Sequence, residues 1–134
     1  MKTSASSSPH RWALVSGDAI ALIALVGFGF ASHRELGSAP WNRVLATAVP
    51  LVLGWFPLAW ALGLYGPLAL TRRGGGLTAL AAVYAACFLA IVRAAWLHLP
   101  AQPLFALIMA LFAIVFLSAF RVPFAWLHRR SSAQ

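Results

Sequence analysis

The chain has 134 residues, 62% of them hydrophobic and only 9% charged, with a mean hydropathy of +0.85. A soluble domain carries about a quarter charged residues, so this composition excludes an ordinary water-soluble globule and makes lipid the solvent of most of the surface. The net charge of +8 would point to nucleic acid in a soluble chain, but here the bases flank apolar runs, the pattern of membrane orientation and anionic headgroups.

Met1 to Arg11 is short, Ser-rich and basic, and reads as a cytoplasmic tail. Trp12 to Ala31 follows as one apolar run with a single carboxylate, Asp18. As a helix it rises ~30 Å, the thickness of a bilayer's hydrocarbon core. Gly29-Phe30-Ala31 has the small-x-small form of a signal-peptide cleavage site, but the run is longer than a signal core, so the segment is expected to be retained. Gly27 and Gly29 are small enough for close helix approach.

The first loop, Ser32 to Arg43, contains Gly37, Pro40 and Trp41, the last an interface anchor. The second helix is expected from Val44 to about Tyr65, with Pro50 and Pro57 either side of Gly54. Each proline removes a backbone donor and crowds the preceding turn, so a kink is predicted between them. Gly66-Pro67 should end this helix, and Arg72 to Gly76 (RRGGG) reads as the second loop. The third helix is predicted over Leu77 to Leu99, with Arg93 its one formal charge. Pro100 and Pro103 bracket a tight turn into the fourth helix, Leu104 to about Arg121. Pro123 then kinks or ends that helix, leaving residues 123–134 as a basic amphipathic tail at the surface.

The architecture predicted is all-α: four transmembrane helices in an antiparallel bundle, with residues 12–122 as the membrane domain. The tail, second loop and C-terminus hold Lys2, Arg11, Arg72, Arg73, Arg129 and Arg130, against Arg34 and Arg43 on the other side. The positive-inside rule then places both termini in the cytoplasm.

Depth decides which internal charges can meet. Asp18 lies seven residues past Arg11, ~10 Å in, and Arg121 lies eight residues before Arg129, ~12 Å in on a helix running the other way. An unpaired carboxylate there costs several kcal/mol or takes up a proton, so Asp18 is expected to pair with Arg121. Replacing both with apolar residues is expected to be close to neutral. Arg93 sits near the opposite side, too far from Asp18 in depth, with Glu35, His33 or a lipid phosphate as its expected partner. The competing reading makes Asp18 a proton or cation site; no second carboxylate lies in any membrane run to relay a proton.

His10, His33, His98 and His128 have no metal-ligand spacing, and His10 and His128 are expected across the membrane from the other two, so no metal site is predicted. A lone histidine at a helix end can ligate a pigment or haem, but an interfacial polar role is expected; nothing in the residues supports pigment or quinone contact, and no cofactor is indicated. Trp12, Trp41, Trp96 and Trp126 read as belt residues, and Trp55 and Trp60 as packing near the Gly54–Pro57 kink. Cys87 reads as a buried packing thiol. Gly74 to Gly76 lacks the lysine and hydroxyl of a phosphate loop, and no nucleophile–base or acid pair is visible, so an enzyme is not expected.

Together, Asp18 in helix one, Ser32-His33 after it, Pro50 and Gly54-Trp55 in helix two, and the late arginines Arg93 and Arg121 resemble a family of small prokaryotic membrane proteins known only as domain of unknown function three-oh-five-four. The resemblance runs from about residue 12 to 121. Phe30-Ala31 stands where the family tends to have Gly-Arg, and Phe120 where it tends to have Trp. The resemblance implies four helices and this residue set, and no activity. The functional expectation is therefore a non-catalytic accessory or structural subunit of a larger membrane complex, energy-converting complexes among the candidates, surrounded by lipid and other membrane chains. The alternative is a small proton- or cation-coupled transporter using Asp18.

Overall fold

The computed structural model describes residues 9–33 and 40–131. Four helices, α1 (Pro9–Ser32), α2 (Trp41–Ala61), α3 (Arg72–Leu97) and α4 (Pro103–Ser131), are each long and apolar enough to cross a membrane. They pack as a four-helix bundle. The N-terminal tail before Pro9 and the loop residues Arg34 and Glu35 lie outside the described residues.

Small residues set the closest approaches. Gly54 on α2 faces the backbone of Ala85 on α3, where an added Cβ would come within 3.1 Å of the Ala85 Cα. Ala81, Ala82 and Ala86 extend this buried alanine face. Without a hydrophobic drive between helices in lipid, such close packing supplies much of the association energy. On the other side, the Phe120 ring of α4 occupies the space a side chain at Gly17 of α1 would need.

Several boundaries differ from those predicted, each for a local reason. Helix α2 runs through Pro50 and Pro57 but stops at Ala61 rather than Tyr65. Gly63 takes a left-handed φ of 70°, its amide donates to the Trp60 carbonyl, and the Leu64 amide donates to the Ala59 carbonyl. This is a Schellman closure, for which glycine is the preferred residue. It turns Leu64 and Tyr65 back into the core, where both are buried. A short 3-10 helix, Pro67–Leu70, follows.

Helix α3 starts at Arg72, so RRGGG forms its first turns instead of a loop. The Thr71 hydroxyl accepts from the Gly74 amide at 3.0 Å, an N-cap that the glycine run hid from view. Gly74 is needed because the Leu68 carbonyl sits where its Cβ would be.

Helix α4 continues through Pro123 to Ser131, so Phe124 to Arg130 is no separate surface tail. Ala125 is buried, Phe124 stacks on His128, and His128 meets His10 of α1 with ring centroids 5.4 Å apart. These contacts outweigh the one amide lost at the proline. Cys87 is exposed on the outer face of α3, not buried.

Helix α3 closes like α2: the His98 amide donates to Ala95 and the Leu99 amide to Ala94. Here the left-handed residue is His98, φ 54°. Pro100 keeps Leu99 out of the helical region and so forces the stop. A side chain in this conformation costs about 1–2 kcal/mol. His98→Gly is therefore expected to raise thermal stability in detergent by about 0.5–1 kcal/mol, whereas Gly63→His should lower it by more; equal melting of all three proteins would contradict this account.

Candidate functional site: a buried carboxylate network

Asp18 lies wholly buried on α1 and is reached from α2, from the segment that follows it and from α4. Its Oδ1 accepts from Arg121 Nε at 2.9 Å and its Oδ2 from Arg121 Nη2 at 2.6 Å. This is the two-point fork of a guanidinium on a carboxylate, the strongest geometry available to such a pair. Oδ2 also accepts from Trp55 Nε1 on α2 and from the Tyr65 hydroxyl beyond α2, each at 3.0 Å. The third nitrogen of Arg121, Nη1, donates to the Leu64 carbonyl at 3.2 Å and to Thr78 Oγ1 on α3 at 3.5 Å, the long end of a hydrogen bond. Thr78 in turn donates its own hydrogen to the Gly74 carbonyl at 2.9 Å.

The backbone explains why the partners converge. The Gly63 turn aims both the Leu64 carbonyl and the Tyr65 ring inward. The neighbours of the ion pair in sequence, Gly17 and Phe120, interlock and hold α1 and α4 at a fixed spacing. The guanidinium also lies 5.5 Å from the Trp55 ring centre and 5.6 Å from that of Tyr65, so two aromatic faces add attraction for the cation in a desolvated place. Burial first, then the Asp18 charge and the hydrogen bond to it, raise the Tyr65 phenol above its ordinary pKa; it remains protonated and a donor. Among the described residues no buried side-chain nitrogen or oxygen lacks a hydrogen-bond partner.

Of the residues singled out in the sequence, Asp18, Arg121 and Trp55 come together here. The sequence reads Trp55 as packing; in the structure its indole donates to the carboxylate. Tyr65, Thr78 and the Leu64 carbonyl were not anticipated. The signal for the first and last was Leu-Gly-Leu-Tyr at 62–65, whose glycine marks a helix end rather than a helix interior. Pro50 and Gly54 are buried beside this network on α2 and serve packing, while Pro57 is exposed. Trp60 is largely exposed, with Arg11 5.3 Å above its ring.

Arg93 lies at the other end of the bundle. Its Nε donates to Thr47 Oγ1 at 3.3 Å and its guanidinium covers the Phe105 ring at 4.8 Å. Ser32 and His33 are near it, around one groove; Glu35 lies outside the described residues. No group of three metal-ligating side chains occurs among the described residues.

The ion pair predicts a particular response to mutation. Asp18→Asn or Arg121→Leu strands one charged partner and should cost about 3–5 kcal/mol. The double change Asp18→Leu/Arg121→Leu is not expected to be neutral, as the sequence alone implied. It leaves the Trp55 N–H and Tyr65 O–H buried without an acceptor, at about 1–3 kcal/mol each. Adding Trp55→Phe and Tyr65→Phe should recover part of that loss. Thermal unfolding in mild detergent reads all of these; single variants that melt like the parent would show that the pair does not hold the fold.

The family model described as protein of unknown function (DUF3054) matches residues 15–124. The chain belongs to that family, and the matched span contains the whole carboxylate network. No curated protein and no solved structure matches the chain.

Proposed function

We propose that this member of the family is a non-catalytic structural subunit of a larger assembly in a prokaryotic cytoplasmic membrane. The observation that carries this reading is the saturation of Asp18. Its carboxylate is fully buried and accepts four hydrogen bonds from three residues. A proton- or cation-carrying acid needs access and an exchangeable partner; this one has the surroundings of a lock. Large apolar side chains cover the outside of the bundle, among them Ile20, Ile23, Leu80, Ile91 and Leu111, a surface suited to lipid and to neighbouring helices.

In this reading the helices alternate in direction and both termini face the cytoplasm. The pairings His10–His128, Asp18–Arg121 and Phe28–Phe112 support opposite directions for α1 and α4. Arg11, Arg72, Arg73, Arg129 and Arg130 at one end, against Arg43 and Arg93 at the other, support the orientation through the positive-inside rule.

Purification from native membranes in mild detergent tests the role. Partner chains are expected at fixed stoichiometry. A bare oligomer whose reconstituted proton flux disappears in a folded Asp18→Asn variant would overturn the proposal in favour of a transporter. Orientation is read separately by labelling a cysteine at Ser6 in a Cys87→Ala background: reaction from the cytoplasmic face is expected, and reaction from the opposite face alone would reverse the topology.

A further inference from the structure

At the end of the bundle away from His10 and His128, a groove of about 440 Å³ opens between α1, α2 and α4. That volume lies within the range of small-molecule sites, about 300–1,000 Å³. Its chemistry is divided along its length. Leu25, Val26 and Phe28 of α1 and Ile108, Met109 and Phe112 of α4 make apolar walls, while Arg43, Arg93, Ser32 and His33 stand at the polar end. Gly29 of α1 also lines it, and nothing lies within 4 Å of where a Cβ there would be.

Thr47 ties the Arg93 side chain to the backbone of α2 at Arg43. Its hydroxyl donates to the Arg43 carbonyl at 2.9 Å and accepts from Arg93 Nε at 3.3 Å. Arg43 is two residues past the first residue of α2, and Arg93 is four residues before the end of α3. Both therefore sit within ~6 Å of a helix end, the depth at which headgroups begin. A guanidinium carries five N–H donors in a planar fork, enough to keep partners in the protein and still bind a phosphate.

We propose that this groove is a binding site for one anionic phospholipid, its phosphate on Arg43 and Arg93 and an acyl chain between α1 and α4. The charge complementarity identifies the occupant: the described lining holds two arginines and no acid, so a zwitterionic headgroup's ammonium finds no counter-charge, a lipid without a phosphate brings no anion to the guanidinium end, and a free phosphate leaves the apolar walls empty. This site is independent of the carboxylate network, which occupies the other half of the bundle.

The probe is phosphatidylglycerol, added to the detergent-purified full-length protein and followed by native mass spectrometry, with tryptophan-fluorescence melting to verify folding. The parent is expected to retain one phosphatidylglycerol, and diacylglycerol of the same chains should be held at least about tenfold more weakly, the weight of one charge-assisted hydrogen bond. Arg43→Gln/Arg93→Gln should lose a similar factor. Because Arg93 also touches Thr47 and Phe105, that variant can fail to fold. Gly29→Leu provides the independent test, since it fills the groove, leaves both arginines in place and favours the helix; it should abolish retention while melting at or above the parent temperature. Arg129→Gln/Arg130→Gln, at the far end, should bind like the parent. Equal retention of diacylglycerol, undiminished phosphatidylglycerol binding in folded Gly29→Leu, or loss confined to the Arg129/Arg130 variant would each overturn the proposal.

Discussion

A carboxylate placed in the interior of a lipid-embedded bundle has no water to satisfy it, so the protein must supply every donor. Asp18 imposes that demand on the whole chain. It is met by Arg121 from α4, Trp55 from α2 and Tyr65 from the connection that follows α2, with Thr78 of α3 and the Leu64 carbonyl steadying the guanidinium. No two helices can satisfy it alone. Dispersion between apolar helices in lipid tolerates many rotations and registers; a bidentate ion pair with two further donors tolerates few. Replacing an isolated buried pair by well-packed hydrocarbon can leave stability unchanged; here it would strand the Trp55 and Tyr65 donors, so the network both holds the fold and selects one arrangement of four helices.

That selection depends on positions where side chains are small or missing. Gly17 admits Phe120 beside the ion pair, Gly54 brings α2 against Ala85, and Gly74 lets the 3-10 turn press on α3. Each contact lowers the distance the polar groups must bridge. The half of the bundle around Arg93 lacks this closure: the groove lies there, and the α1 glycines Gly27 and Gly29 face open space. One chain thus combines a sealed polar knot at one end with an amphipathic cleft at the other.

The helices and the Asp18–Arg121 encounter were legible in the sequence because both rest on simple constraints, bilayer thickness for the helices and matched depth for the charges. Trp55 was visible as a residue but not as a donor, since rotation about the helix axis decides whether an indole points at lipid or at a carboxylate, and α2 is apolar on every side. Tyr65 and Leu64 were missed because Gly66-Pro67 looked like the natural stop, while the effective one was Gly63. The start of α3 was hidden for the opposite reason: three glycines mimic a loop, and only Gly74 is required, by a tertiary neighbour, Leu68. The groove could not be read at all, because it is made by the packing of separate helices rather than by any motif.

The span between the two members of the ion pair has a consequence for how the chain is made. Asp18 and Arg121 are 103 residues apart, whereas Trp55 and Tyr65 follow Asp18 by 37 and 47. A ribosome therefore delivers the carboxylate to the insertion machinery long before its counter-ion exists. Placing an aspartate at the centre of a lone helix costs about 3 kcal/mol on the insertion scale, an expense that the other 19 residues of the run from Trp12 to Ala31, all uncharged, can cover. The indole and phenol come next and give the acid its first donors when α2 and its closing turn emerge. Arg121 arrives last, so the nascent protein passes through a stage with three helices made and the acid still without its cation, and release of α4 into the bilayer is the step that completes the bundle.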